Sequence, residues 1–197
     1  MEIKECPQCG APAKPSLRSC EYCNAEFFIT SIAYLSGFDA AGLQKYLKHY
    51  KSLLSSELNN VEGNLGLGLC YLQLGMYSMA IKSFEIIILN SPHISQSYYY
   101  FCLSKIGGRR IMTMSLKEVK DLEAYLNTAF QLDSNSAICL LLLAIIKYDY
   151  YASNGLKVIS PTYQDLLKTV NWDNLNNGEI ARLKQCVRLP DYSLFNI

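Results

Sequence analysis

Eight cysteines punctuate a chain of 197 residues, and four of them stand in a pattern that can do chemistry. Cys6-Pro7-Gln8-Cys9-Gly10 and Cys20-Glu21-Tyr22-Cys23-Asn24 are two C-x2-C pairs separated by ten residues. Two thiolates spaced by two residues turn onto one metal ion without strain, and two such turns complete a tetrahedron of sulfur. Gly10 and Asn24 follow the second cysteine of each pair. Both residue types accept the left-handed conformation that aims backbone N–H groups at the sulfurs, and those hydrogen bonds steady a thiolate ligand. The expected cofactor is Zn2+ on Cys6, Cys9, Cys20 and Cys23. Four protein ligands leave no position for water, so the ion is expected to be structural. Its removal should unfold the cysteine-rich segment and leave most of the helical signal in place.

Other uses of the quartet fit less well. A disulfide pair is disfavoured where no export signal is seen, and residues 1–6 are polar and charged, without an apolar h-region. A redox C-x-x-C needs a thioredoxin-like strand and helix around it. An iron–sulfur cluster could use four cysteines, but two knuckles with a short spacer favour zinc. The wording of residues 6–27, CPQCGAPAKPSLRSCEYCNAEF, resembles the bacterial zinc-ribbon family in its CPxCGA opening and its CxYCxxxF close. Asn24 departs from the usual glycine. Zinc ribbons contact nucleic acids in some members and proteins in others, so the resemblance leaves the partner open. Charge bears on it: residues 1–28 hold three basic side chains (Lys4, Lys14, Arg18) and four acidic ones (Glu2, Glu5, Glu21, Glu26). Zinc with four thiolates adds two further negative charges. That sign is wrong for a phosphate grip.

The remaining cysteines (Cys70, Cys102, Cys139, Cys186) are isolated within apolar helical runs and read as buried small hydrophobes. Half of the residues are apolar and 18% are charged, with a net charge of +1. This is a globular composition with no strong pull toward polyanions. The longest apolar run, AICLLLLAII at 137–146, has ten residues, and a bilayer span needs roughly 20. The expectation is a soluble, cytoplasmic protein with no membrane contact.

Beyond residue 28 the apolar spacing is three and four, the period of helices. Leu43, Tyr46, Leu47, Tyr50, Leu53 and Leu54 share one helical face behind Asp39, a capping residue. Further helices are expected at about 62–74, 77–90, 95–106, 116–132, 136–151, 161–171 and 178–188, the sixth opening on Ser160-Pro161. Within them Leu67-Gly68, Tyr71, Gly75, Tyr77, Ala80, Phe84 and Pro92 follow the spacing of a tetratricopeptide unit, with Asn64 where a large aromatic is usual. The chain here resembles that family. Gly68 and Ala80 let two helices approach, and Pro92 stops the second. Weaker echoes run over about 37–155. The expected fold is all-α, a tetratricopeptide-like solenoid of helical hairpins behind a small zinc ribbon. Its parts are residues 1–28, 29–155 and 156–197.

The resemblance implies a concave face lined by first helices: Leu65, Leu69 and Leu72, then Tyr99, Leu103 and Ile106, then Leu141, Ile145 and Tyr148. An apolar face of this kind suits a protein or peptide partner, or the chain's own C-terminal helices and its DYSLFNI tail. Both occupants stand open. The loop with Arg109 and Arg110 is the one compact basic cluster, which offers an alternative use, a nucleic-acid-associated factor joining ribbon and loop. Self-association through exposed repeat ends is a third reading. Catalysis finds no constellation: His49 and His93 are far apart without a paired acid, and no phosphate loop or nucleophile elbow occurs. The expectation is a non-enzymatic adaptor or scaffold.

Overall fold

A computed structural model describes residues 5–14, 16–157, 160–195 and 197. Glu2 and Lys4 of the charge count and Asn196 of the tail lie outside them. The chain is all-α, and among the described residues β pairing is limited to isolated bridges. Packing divides it into two compact units, Met1–Asn90 and Ser91–Ile197. These are not the three parts expected at residues 28 and 155. The cysteine-rich segment shares a unit with the helices that follow it, and the C-terminal helices share one with those before them.

In the first unit, α1 (Ile32–Leu35) is a single turn capped by Ser31. It is too short to carry a periodic signal, and the sequence gives no hint of it. Helix α2 (Ala40–Leu54) starts at Asp39, whose carboxylate accepts from the Gly42 N–H at 2.7 Å. Its buried face holds Leu43, Tyr46, Leu47, Tyr50 and Leu54, as the spacing predicts. Helix α3 (Val61–Gln73) is capped by Asn60 and packs against α1, α2 and α4 (Tyr77–Asn90). Gly75, at φ +70°, turns the chain between α3 and α4 in a conformation that side chains with a Cβ resist.

Three glycines on α3 set how closely its neighbours come. A Cβ on Gly66 would lie 2.3 Å from Cζ of Tyr50, and one on Gly68 would lie 2.6 Å from Cε1 of Phe84. Gly63 similarly faces Leu54 at 2.9 Å. The aromatic rings of α2 and α4 therefore sit directly on α3 backbone. The helix propensity lost at these glycines is exchanged for close packing on two sides.

In the second unit, α5 (Ser95–Ile106) ends at Gly107 and packs against α6 (Leu116–Leu132), which opens with a Ser115–Glu118 capping box. Helix α7 (Ala137–Ile146) packs on α6 and on α8 (Tyr163–Thr169), while α9 (Asn177–Cys186) packs on α5 and α7. Two expectations need correction. The helix expected to 151 leaves α geometry at Ile146 and continues as a π-helical turn, Lys147–Ala152. The wider turn brings Asp149 to a fully buried position, where it meets Arg110 and the Met112 N–H. The helix expected from Ser160-Pro161 starts two residues later, because Thr162 and Asp165 form a reciprocal capping box. That box satisfies more of the orphan N–H groups than proline in the first turn does.

Candidate metal centre

Each C-x2-C pair folds into the same small turn. In the first, the Cys6 N–H donates to Ala11 O at 2.8 Å and the Gly10 N–H to Cys6 O at 2.9 Å. In the second, the Cys20 N–H donates to Ala25 O and the Asn24 N–H to Cys20 O, both at 2.9 Å. Gly10 at φ +74° and Asn24 at φ +58° take the left-handed conformation expected of them. Short antiparallel bridges, Glu5 with Pro12 and Ser19 with Glu26, close the two loops.

The turns face each other. All four sulfurs lie within 4.8 Å of one another, an arrangement that can hold a metal ion. The shortest approaches run between the turns: Cys6 to Cys23 and Cys9 to Cys20, both 3.6 Å. The Gln8 N–H points at the Cys6 sulfur from 3.4 Å. Cys6 and Cys20 are buried, whereas Cys9 and Cys23 reach the surface.

No protein-family model, curated protein or solved structure matches this chain.

Electrostatics set Cys20 apart from Cys6 and Cys23. Burial pushes the Cys20 thiol up, but the N–H groups of Tyr22 and Cys23 and the neighbouring sulfurs outweigh it and hold it at about 7. The Ala25 N–H lowers Cys23, yet burial and the sulfurs of Cys9, Cys6 and Cys20 carry it up to about 12. Burial raises Cys6 as well. Four thiolates at this spacing repel one another, so the cluster becomes fully anionic only around a cation.

The centre is anchored to α2 by groups the sequence reading passed over. Gln8 lies between the first two cysteines. Its side-chain amide donates to Gly42 O at 2.9 Å, and Lys45 Nζ donates to Gln8 O at 2.9 Å. On the other side, the Tyr46 hydroxyl donates to Glu26 O at 2.7 Å, and Tyr50 Oη accepts from the Ile29 N–H at 2.8 Å. Tyr34 Oη accepts from the Glu26 N–H at 2.9 Å and lies 3.1 Å from Tyr46 Oη. Tyr46 and Tyr50 are wholly buried. Phe27 beside them forms a small core with Cys6, Cys20 and Ala25, against which Leu53 of α2 packs. A hint existed in the sequence: Tyr46 and Tyr50 occupy apolar positions of α2, and a buried phenol needs a polar partner.

The expected receptor face is filled from within the chain. Leu65, Leu69, Leu72, Tyr99, Leu103, Ile106, Leu141 and Ile145 are buried, and Tyr148 is half-buried. Helix α1 packs on α3, and α9 packs on α5 and α7. The tail closes the last position. Phe195 is fully buried and meets the Tyr148 ring edge-on at 5.5 Å. Within each unit these side chains are covered by the chain itself.

The basic loop is likewise tied down. Arg109 donates to the carbonyls of Lys105 and Ile106 and pairs with Glu118 at 3.3 Å. Arg110 pairs at 2.6 Å with Asp149, which is fully buried. Arg109 and Arg110 thus serve the packing of the second unit and present no free cationic pair. The Arg110 side chain is 35% exposed, so water screens part of the attraction. Arg110→Ala leaves the buried Asp149 carboxylate without its cation and is expected to lower stability by about 2 kcal/mol or more. A fall in the urea midpoint with unchanged binding to RNA at low salt would match that structural role.

Proposed function

We propose that the chain is a non-catalytic protein-binding scaffold whose four cysteines hold structural zinc. Zinc is favoured by the donor set and by its spacing. Four thiolates with no other ligand suit Zn2+, and metal–sulfur bonds of about 2.3 Å give tetrahedral edges of about 3.8 Å. The observed 3.6 Å approaches between the two turns lie close to that edge. A closed set of four ligands offers no site for substrate, so the ion braces the fold. No helix among the described residues is long and apolar enough to cross a membrane.

A partner protein or peptide is supported by where apolar side chains remain outside. The predicted face is closed, yet Leu58, Met76, Met79 and Leu89, all between the end of α2 and the end of α4, are exposed by 72%, 43%, 37% and 76%. Of these, Leu58 and Met79 border one apolar groove, and a contiguous apolar surface of this kind marks an interaction site. The nucleic-acid alternative is weaker, since Arg109 and Arg110 are engaged within the chain.

Purified protein should contain one zinc per chain by elemental analysis, falling below a tenth of that in Cys9→Ser/Cys23→Ser. Cobalt substitution should give the charge-transfer and ligand-field bands of a tetrahedral thiolate site. An iron–sulfur chromophore, or purified full-length protein whose residues 5–28 are folded with no metal bound, would end the zinc reading.

A further inference from the structure

The loop between α2 and α3 does something that helix packing alone does not require. Asn64 stands in the first turn of α3 and is 2% exposed. Its side-chain amide donates to Leu58 O at 2.8 Å and to Asn60 O at 2.9 Å. A buried asparagine thus fixes the loop with Leu58 projecting into solvent, at the position where the tetratricopeptide pattern has an aromatic. Leu58 forms one rim of a groove of about 300 Å3 that runs over α3 between α2 and α4. Its floor is Leu54, Leu67 and Tyr71, and Met79 and Ile86 of α4 form the other rim.

Two lysines border this apolar trough, Lys51 on α2 and Lys82 on α4, and among the described residues no acidic side chain lines it. Lys51 Nζ lies over the Tyr71 ring, 5.7 Å from its centroid. Neither lysine enters an ion pair among the described residues. The groove is therefore apolar at its base and positive at both edges.

We infer that this groove docks an amphipathic helical segment of a partner protein, with apolar side chains at three- and four-residue spacing and Asp or Glu beside them. The inference rests on the scaffold reading and adds to it the surface and the partner's chemistry. Apolar anchors would cover Leu58 and Met79, while carboxylates would meet Lys51 and Lys82. Charge complementarity selects an acidic partner over a basic one and makes binding weaken as salt rises.

The test uses the zinc-loaded full chain against a displayed library of randomised helical peptides of about 16 residues, between four and five turns. Enriched peptides are then made and their affinity measured by fluorescence anisotropy. Enrichment of acidic amphipathic sequences is expected. Their affinity should fall about tenfold or more with Leu58→Glu and with Lys51→Glu/Lys82→Glu, all exposed positions where the fold should survive. Such peptides binding the variants as tightly as the wild type would overturn the groove while leaving the scaffold reading in place. Enrichment of basic peptides would overturn the inference and leave the scaffold reading in place, whereas enrichment of none would count against both. A dimer that Leu58→Glu dissolves would give the groove to a second copy of the chain and overturn the inference too.

Discussion

If the four cysteines hold zinc as proposed, removing it by chelation or by Cys20→Ser is expected to open residues 5–28 and to loosen α1 and α2 with them. Structural zinc on four thiolates contributes on the order of 10 kcal/mol of apparent folding free energy near neutral pH. Little else holds this segment, since its own core is Cys6, Cys20, Ala25 and Phe27 with a few half-buried neighbours. The effect does not stop at residue 28. Opening takes away the Glu26 and Phe27 carbonyls that the Tyr46 and Tyr50 hydroxyls bond, and it leaves two wholly buried phenols unsatisfied on α2. Residues 91–197 form a compact unit of their own and should keep their protection.

Hydrogen exchange can read this region by region. Fast exchange should spread through residues 5–54 after chelation, with the amides of α5, α6 and α7 unchanged. Metal loss should also follow acidification, because protons compete with the ion for sulfur and the affinity falls as pH falls. Protection of residues 5–28 that survives complete demetallation would show that the metal does not carry this part of the fold. Loss of protection across the whole chain would show that the two units fold as one.

Gly66→Ala should be the most damaging single methyl that α3 can receive. The added Cβ would sit 2.3 Å from Cζ and 2.6 Å from Oη of Tyr50, far inside van der Waals contact. A flexible neighbour would move aside, but Tyr50 is fully buried and its hydroxyl accepts from the Ile29 N–H. Alanine gains about 1 kcal/mol of helix propensity over glycine, while overpacking costs up to about 3 kcal/mol or more at a rigid contact. A net loss of about 2 kcal/mol is expected in urea denaturation. Gly37→Ala is the control, since a Cβ there meets nothing within 4 Å. Trimming the ring with Tyr50→Leu should make the Gly66 substitution nearly neutral, a coupling that a double-mutant cycle measures directly. Equal losses in both backgrounds would remove the contact as the cause.

The helices themselves were legible to a high degree. Asp39, Asn60 and Ser115 cap α2, α3 and α6, and glycine or proline follows α3, α4 and α5, so local signals mark both ends. The boundaries of α4, α5 and α6 coincide with those read from spacing alone. The cysteine turns were legible for the same reason. Two residues between ligands, followed by glycine or asparagine, determine a turn within five residues, and no distant contact is needed to place it.

What the sequence could not decide is which apolar face stays outside. Spacing shows that Leu65, Leu69 and Leu72 share α3, but a one-turn helix with no periodic signal packs on that helix. Likewise Tyr148 reads as free until Phe195, 47 residues later, closes over it. The fate of Arg110 depends on a π-helical turn that carries Asp149 inward. Each of these outcomes turns on a contact made far along the chain. Residue order by itself determined where helices begin and end and where four sulfurs gather, because those depend on neighbours a few positions away. Tertiary structure decided exposure, since burial is a property of whatever segment arrives from elsewhere to exclude the water.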